Sequence, residues 1–323
     1  TLAKSFLNTP LICYICASKF YNSMESSTEK ILITGALGQI GTELTKRLVD
    51  LHGKDNVVAS GLDRWDKKLT PAGYYERMDV TNTHLVRQIV KDYEISTVYH
   101  LASLLSGTSE RQPQFAWRLN VEPLLNFLDM AREGLIQKIF WPSSIAVFGK
   151  GLPKENVGQD VILNPSTVYG ISKMAGEKWC EYYYEKFGVD IRSIRYPGLI
   201  SWKTPAGGGT TDYAVEIFYE ALEEGKYTSF ITENTAMPML YMDDAINATL
   251  QLMNAPKENL TVRTSYNLGG MSFTPQELAA EIKKHIPEFE MDYKPDFRQA
   301  IADSWPASID DSVAKKEIGR AHV

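Results

Sequence analysis

A glycine-rich turn between a short apolar run and a helical pattern is the feature that most limits what this chain can fold into. Residues 31–34 have the composition of a buried strand, and residues 42–51 have the spacing of an amphipathic helix. The glycines between them let the backbone turn tightly and approach a pyrophosphate, whose charge is met by N–H groups at the start of the helix. This G-x-x-G-x-x-G pattern predicts a dinucleotide site that contains Gly35, Gly38, Gln39, Ile40 and Gly41.

Strand and helix patterns alternate along the next 150 or so residues. Strands are expected at 56–60, 97–102, 138–143 and 190–195, and helices at 83–93, 115–133 and 167–187. Such alternation implies parallel strands joined by right-handed crossovers, and apolar strands with few alternating polar residues indicate a sheet covered on both faces. The predicted fold class is α/β: a Rossmann-type doubly wound parallel sheet with a smaller C-terminal substrate-binding cap.

The alternation weakens after residue 200, which indicates a second part. Residues 30–200 are expected to form the dinucleotide-binding domain, with 236–270 returning to it, and residues 201–235 and 271–323 to form the cap. Within the cap, Thr274, Pro275 and Glu277 have the signature of a helix start, and the helix should continue to residue 286. Residues 1–29 are expected to be an extension, either a transit peptide or untranslated sequence read through, and the C-terminus is expected to be truncated.

The composition disfavours several classes of protein. With 34 basic and 40 acidic residues the net charge is -6, which argues against a broad grip on nucleic acid or an anionic membrane. Three cysteines cannot build a disulfide framework, and Cys13 and Cys16 lack a second pair of ligands at zinc-site spacing, so no metal is expected. No uninterrupted apolar run reaches the roughly 18 residues of a membrane span. We expect a soluble protein of the cytoplasm or the mitochondrial matrix that is not secreted.

A tyrosine and a lysine lie four residues apart at the start of a predicted helix. This spacing places Tyr169 and Lys173 on one helix face. The pKa of a free tyrosine is about 10, and a nearby ammonium and a cationic nicotinamide would both favour the phenolate. Ser144, at the end of the strand 138–143, can hold a substrate oxygen. These three residues are the predicted catalytic set, with Tyr169 as the base.

The end of the second strand bears on the choice of dinucleotide. An acid there commonly binds the adenosine ribose, but Gly61 holds the expected place and Asp63 lies two residues later, beside Arg64. The guanidinium of Arg64 would suit the 2′-phosphate of NADP. We predict NAD rather than NADP, with Asp63 and Arg64 near the ribose; the alternative is that Asp63 only begins a solvated loop.

Taken together, these motifs resemble the extended short-chain dehydrogenases/reductases of the nucleotide-sugar epimerase type. The resemblance rests on the glycine turn, the strand end at His100, Asn120, Ser144 and the Tyr169/Lys173 pair. Within that superfamily, segments similar to those of the L-threonine 3-dehydrogenase family occur in order at 141–149, 195–198, 207–215 and 241–245. Gly61, in place of the ribose acid, departs from the pattern.

The resemblance implies NAD-dependent oxidation of the L-threonine β-hydroxyl to L-2-amino-3-oxobutanoate, in threonine catabolism to glycine, by a homodimer formed through the two long helices. Tyr169 would take the hydroxyl proton, Lys173 would lower the pKa of the tyrosine and hold the nicotinamide ribose, and Ser144 would bind the reacting oxygen. It also implies further cofactor contacts from Asp79, Val80, Leu101, Ala102, Ser103, Asn120, Tyr196 and Pro197.

Selection of the substrate is expected to come from the cap and its surroundings. The candidate substrate contacts, besides Tyr169 and Ser144, are Ser106, Ser143, Gly209, Thr210, Thr211 and Asp212. Backbone N–H groups and hydroxyls in this set can receive a carboxylate, and Asp212 can meet an ammonium. The alternative for Thr211 or Asp212 is capping of the helix that begins there. Trp305 is expected to pack rather than to contact a ligand.

Two other functions use the same residues differently. A nucleotide-sugar epimerase or dehydratase would keep NAD bound and would need a larger cap and an arginine for the diphosphate, for which Arg263 and Arg298 are the candidates. A non-catalytic NAD-sensing regulator would have no need of a base, so the complete Ser144, Tyr169 and Lys173 set disfavours it.

Overall fold

The computed structural model describes residues 29–68 and 70–319. The expectations for residues 1–28, with Cys13 and Cys16 among them, and for residues 320–323 lie outside the described residues. Within the described part of the chain, the helices are too short or too polar to cross a bilayer.

The chain alternates strands and helices up to residue 200 and mixes shorter elements afterwards. The strands are β1 (Ile31–Thr34), β2 (Val57–Gly61), β3 (Tyr74–Arg77), β4 (Thr97–His100), β5 (Lys138–Ser144), β6 (Asp190–Tyr196), β7 (Gly198–Ile200), β8 (Lys226–Ser229), β9 (Met237–Tyr241), β10 (Tyr266–Asn267), β11 (Met271–Phe273) and β12 (Glu290–Tyr293). The helices are α1 (Gln39–His52), α2 (Thr83–Asp92), α3 (Ser106–Arg111), α4 (Pro113–Arg132), α5 (Val168–Phe187), α6 (Tyr213–Glu223), α7 (Met242–Asn254), α8 (Pro275–Lys283), α9 (Phe297–Ala302) and α10 (Ser312–Glu317).

The central sheet has the strand order β10-β6-β5-β4-β1-β2-β3, and all its described pairs are parallel. Every residue of β1 and β4 is buried, because helices cover both faces. One face packs against α1 and α7 through Leu44, Leu48 and Ile246. The other packs against α2, α4 and α5 through residues such as Phe127 and Cys180. The predicted doubly wound α/β sheet is confirmed.

Strand β4 ends earlier than the sequence predicts, where the Thr34 side chain begins to bond the following backbone. The expected strand ran to residue 102, but the backbone N–H groups of Leu101 and Ala102 donate to Oγ1 of Thr34 at 3.1 and 3.3 Å. The Thr34 hydroxyl also bonds Nδ1 of His100 at 2.8 Å. These bonds turn the chain out of the sheet at the edge where β1 ends.

The remaining elements form smaller sheets above this edge. Strands β7, β9 and β11 form one sheet and β8 and β12 another, and they enclose a third apolar cluster that includes Tyr213, Ile231 and Phe289. Helix α8 begins with the expected capping box between Thr274 and Glu277 but ends at Lys283, three residues short of the predicted end. Strand β10 pairs with β6 in the central sheet; the division into domains by residue range stays a prediction.

The contact between α5 and β5 leaves no room for a side chain at Gly176. A Cβ on Gly176 would lie 2.3 Å from Cη2 of Trp141, and the Trp141 ring is buried. We expect Gly176→Ala to lower the free energy of unfolding by about 1–3 kcal/mol, the usual cost of overpacking, although Ala favours a helix over Gly by about 1 kcal/mol. Urea denaturation followed by circular dichroism measures the change.

Gly158→Ala is the matched control, because a Cβ there meets no atom within 4 Å. Equal free energies of unfolding for the two variants would contradict the tight packing of α5 on β5.

Candidate active site

A cavity of about 580 Å³ lies at the carboxyl edge of the central sheet, below the cap. Most of the predicted cofactor residues line it: Gly35, Gly38, Gln39, Ile40, Gly41, Asp63, Asp79, Val80, Leu101, Ala102, Ser103, Tyr169, Lys173, Tyr196 and Pro197. All of the predicted substrate residues line it as well: Ser106, Ser143, Ser144, Tyr169, Gly209, Thr210, Thr211 and Asp212. Residues as far apart in the chain as Gly35 and Asp212 therefore line one space.

The glycine turn has the shape that a pyrophosphate needs. Gly35 has a φ of +68°, and a Cβ on it would lie 2.9 Å from the backbone N of Ala102. A Cβ on Gly41 would lie 2.2 Å from the carbonyl O of Gly35, so the turn closes tightly on α1. Gly38 is the N-cap of α1 and makes no side-chain cap, and no acidic residue lies in the first turn. The helix start therefore faces the cavity with uncapped N–H groups, which suits a dinucleotide phosphate.

The structure explains why glycine stands at the end of β2. A Cβ on Gly61 would lie 2.8 Å from the hydroxyl of Tyr75, which donates to the backbone carbonyl of Asp63 at 2.9 Å. The Tyr75 hydroxyl thus fills the space that a side chain at position 61 would need, and it holds the loop that carries Asp63. Asp63 and Asp79 line this end of the cavity, whereas Arg64 is not among its described lining residues. Carboxylates there suit ribose hydroxyls better than a 2′-phosphate.

The catalytic set meets where β5 ends and α5 begins. Thr167 caps α5 by accepting from the backbone N–H of Gly170 at 3.0 Å, and the first turn then brings Tyr169 to Ser144, with a hydrogen bond between the two side chains. One turn later, Nζ of Lys173 lies 5.4 Å from the centroid of the Tyr169 ring. The same Nζ donates to the carbonyl O of Pro142 at 2.7 Å.

Burial dominates the acid–base properties of this pair in the chain alone. Burial raises the pKa of Tyr169 to about 12, and the hydrogen bond from Ser144 lowers it by less. Burial also lowers the pKa of Lys173 to about 7. In the chain alone, desolvation of the phenolate outweighs its local partners, and the lowering of the tyrosine pKa that is expected with NAD bound stays a prediction. The expectation counted the positive charge of a nicotinamide, which the cofactor supplies.

Two predicted cofactor residues stand outside the cavity wall. Arg64 is one, and Asn120 is the other. The buried Asn120 amide accepts from the backbone N–H of Leu104 at 2.7 Å and donates to the carbonyl of Leu104 at 3.1 Å. Asn120 thus holds the segment that leads from Ser103 to Ser106, and it shapes the wall from behind.

Around Ser106 and residues 208–212, hydroxyls and a carboxylate organise the wall. The hydroxyls of Ser106 and Thr210 lie 2.9 Å apart. Oδ2 of Asp212 accepts from the backbone N–H groups of Gly208 and Gly209 at 2.7 and 2.6 Å. Asp212 is the N-cap residue of α6 but makes no side-chain cap there. The capping alternative is therefore wrong for Asp212, which holds the glycine loop instead.

Two residues behave differently from what the sequence indicated. The hydroxyl of Ser143 donates to Oε1 of Glu177 at 2.6 Å, in the protein interior, and is engaged there. Trp305, expected to pack only, is 5 % exposed and also lines the cavity, and its indole nitrogen has no hydrogen-bond partner among the described residues. The loop residues Thr204 and Pro205 line the cavity too. A lone tryptophan and an irregular loop carry no periodic signal that would have identified them.

Comparison with known proteins places the chain among related sequences and structures. The model of the NAD dependent epimerase/dehydratase family matches residues 31–269. An uncharacterized epimerase/dehydratase of Staphylococcus haemolyticus is 50 % identical over 294 residues, which are 90 % of this chain and 92 % of that protein. The solved structure of an L-threonine dehydrogenase from Cupriavidus necator, in its holo form, has a TM-score of 0.87 and 50 % identity and covers 90 % of this chain and 94 % of that one.

A further solved structure, a monomeric L-threonine 3-dehydrogenase from a metagenome in its apo form, has a TM-score of 0.86 and 48 % identity over 90 % of this chain and 92 % of that one. The resemblance drawn from the glycine turn and the Tyr169/Lys173 pair is thereby confirmed, and so is NAD as the cofactor. The chain belongs to the NAD-dependent epimerase/dehydratase family.

Proposed function

We propose that this protein oxidises L-threonine at its β-hydroxyl to L-2-amino-3-oxobutanoate. The observation that carries the proposal is the meeting of Ser144, Tyr169 and Lys173 in the cavity, opposite a wall that bears hydroxyls and a carboxylate from Thr210 and Asp212. About half of the aligned residues are identical in L-threonine dehydrogenases from other sources, which supports the same substrate.

The position of each side chain in the cavity determines its role in the reaction. Tyr169 accepts the proton of the β-hydroxyl at its phenolic oxygen, and Ser144, bonded to that phenol, donates to the reacting oxygen, where charge changes in the transition state. Lys173 lies beside the ring, and its protonated ammonium favours the phenolate of Tyr169.

The glycine turn with Gly35 and Gly38, together with Asp63, would hold NAD, which would supply the acceptor for the hydride of the β-carbon. The hydroxyls of Ser106 and Thr210 receive the substrate carboxylate, and the product is passed on in threonine catabolism to glycine.

The epimerase alternative needs an arginine that reaches a sugar diphosphate. Neither candidate is among the described residues that line the cavity. The guanidinium of Arg263 lies over the ring of Tyr184 at 3.9 Å, and that of Arg298 is paired with Asp296 at 2.7 Å. Both arginines are engaged elsewhere, which favours the smaller amino-acid substrate. A regulator without turnover would have no use for a buried phenol and ammonium held side by side.

The base is tested by removing one oxygen atom. We expect Tyr169→Phe to lower kcat for NAD-dependent threonine oxidation by about 10³-fold, since a general base contributes about 10²–10⁴-fold, while NAD still binds. NADH absorbance measures turnover, and quenching of tryptophan fluorescence measures NAD binding.

Tyr183→Phe is the matched control on the same helix, because the Tyr183 hydroxyl bonds Asp129 at 2.9 Å, away from the cavity; its turnover should stay near that of the wild type. Undiminished kcat in Tyr169→Phe would remove Tyr169 from the mechanism. Conversion of a UDP-sugar without net NADH, and no oxidation of threonine, would favour the epimerase.

The choice of dinucleotide is tested at Asp63. A carboxylate binds ribose hydroxyls and repels a 2′-phosphate, so we expect Asp63→Asn to weaken NAD binding by about tenfold, or about 1.4 kcal/mol, and to narrow the preference for NAD over NADP. Asp66→Asn is the control in the same loop, where the Asp66 carboxylate accepts from the backbone N–H of Lys68 at 2.8 Å and does not line the described cavity wall. An unchanged ratio of NAD to NADP affinity in Asp63→Asn would show that Asp63 does not contact the ribose.

We further propose that two copies of the chain associate through α4 and α5, which pack side by side. The outer face of this helix pair exposes several large apolar side chains, namely Phe115, Trp117, Ile171, Trp179, Tyr182 and Phe187. A patch of this kind on a helix pair is typical of a protein–protein interface.

Light scattering after size exclusion tests this association. We expect Trp179→Glu with Tyr182→Glu to convert a two-chain mass into a one-chain mass, because charges oppose burial of that face. Leu222→Glu, on the exposed side of α6, should leave the mass unchanged. A one-chain mass for the unaltered protein would reject the association.

A further inference from the structure

A buried carboxylate lies one turn beyond Lys173 on helix α5. Glu177 is completely buried, and both its oxygens are bonded by Arg195, from Nε to Oε1 at 2.9 Å and from Nη2 to Oε2 at 2.8 Å. The hydroxyl of Ser143 donates to Oε1 at 2.6 Å. Arg195 is itself anchored by the carbonyl of Gln159 at 3.1 Å and Oδ1 of Asn267 at 3.0 Å. The carboxylate is thus held on all sides by groups of fixed position.

This carboxylate is tied to the strand end that carries the reacting hydroxyl. At the end of β5, Lys173 binds the carbonyl of Pro142, and Glu177 binds the side chain of the next residue, Ser143. Successive side chains of a strand point to opposite sides, so the bond that holds Ser143 inward also orients Ser144 toward Tyr169 and the cavity. Removal of the bond to Glu177 would leave the Ser143 side chain without this partner and loosen the orientation of the strand end.

The same carboxylate is the negative charge closest along the helix to the Lys173 ammonium. Residues four apart on a helix are neighbours, and Glu177 acts to raise the pKa of Lys173 against the lowering caused by burial. A Cys180 thiolate would raise the pKa of Lys173 more than Glu177 does, but burial raises the pKa of the Cys180 thiol well above the ordinary value, so the thiol stays neutral. His100, from β4, stays neutral as well, because burial lowers its pKa to about 3. Tyr169 is uncharged in the chain alone.

We propose that Glu177 is a positioning residue of the active site: it orients the Ser144 strand end through Ser143, and its charge favours the protonated form of the Lys173 ammonium beside Tyr169. This role rests on the proposed function, since it serves the same base. It differs from a purely structural ion pair, because loss of the charge alone, at nearly constant shape, would change how Lys173 titrates.

The test is Glu177→Gln, which keeps an acceptor for Ser143 and Arg195 and removes the charge. Without that charge Lys173 loses its proton at a lower pH, the phenolate of Tyr169 is less favoured, and the rise of kcat with pH moves to higher pH. We expect this limb to shift up by about one unit, and kcat for threonine oxidation near pH 7 to fall about tenfold. Glu177→Asp, which restores the charge, should restore the profile.

Asp190→Asn is the matched control on the same strand as Arg195. It breaks the buried pair between Asp190 and Arg192, whose atoms lie 2.9 Å apart, and leaves an unpaired arginine as Glu177→Gln does, but its position is at the opposite end of β6. We expect it to lose stability without any shift in the pH profile. If Glu177→Gln does not fold, Glu177→Gln with Arg195→Gln removes both charges, which proteins tolerate better, and should shift the Lys173 pKa in the same direction by a smaller amount, because loss of the arginine charge offsets part of the effect.

A second readout does not depend on turnover. The ¹³Cε resonance of Lys173, assigned by its loss in Lys173→Met, should titrate near pH 7 in the unaltered protein and at lower pH in the Glu177 variant. If threonine is not oxidised, the proposed function fails and this titration alone decides the role of Glu177. A Lys173 midpoint in the Glu177 variant that equals the one in Asp190→Asn would overturn the proposal, as would coincident pH profiles.

Discussion

The parallel direction of the strands in the central sheet is the constraint on which the rest of this structure depends. Because the described pairs of that sheet all run the same way, their carboxyl ends meet at one edge. Strand β1 delivers the glycine turn there, β2 delivers Asp63, β4 delivers Ser103, and β5 delivers Ser144. A site assembled from distant segments is the direct consequence of this geometry.

Burial determines how readily the ionisable groups at this edge become charged. The interior raises the pKa of Tyr169 and lowers that of Lys173, which in both cases favours the neutral form. The interior therefore opposes the ionised forms that proton transfer uses. Hydrogen bonds act in the other direction, and the Ser144 hydroxyl favours the phenolate. Fully buried ions such as Glu177 and Arg195 occur as a bidentate pair, because an unpaired charge would be far more costly there.

Much of the fold was predictable, because it follows from local patterns. The glycine spacing predicted the turn into α1, apolar runs predicted β1, β4, β5 and β6, and the capping signature predicted the start of α8 at Pro275. Strand β3 was missed, since Tyr74–Arg77 is an exposed or half-exposed edge strand without an apolar run. The end of β4 was placed too late, because beyond His100 the backbone N–H groups of Leu101 and Ala102 bond the Thr34 hydroxyl of β1, a contact that local spacing does not show.

The sequence by itself determined the glycine turn, the Tyr169/Lys173 spacing and the strand that ends in Ser144, because those features depend on residues close together in the chain. Only the tertiary structure decided which polar groups face the cavity and which face the interior. Ser143 and Ser144 are chemically identical neighbours, yet one is engaged by Glu177 and the other meets Tyr169. The Asp212 carboxylate accepts from the backbone N–H of Gly208 in the glycine loop. Trp305, near the end of the described chain, lines the cavity. Such choices depend on partners that lie far away in sequence, so local spacing carries no record of them.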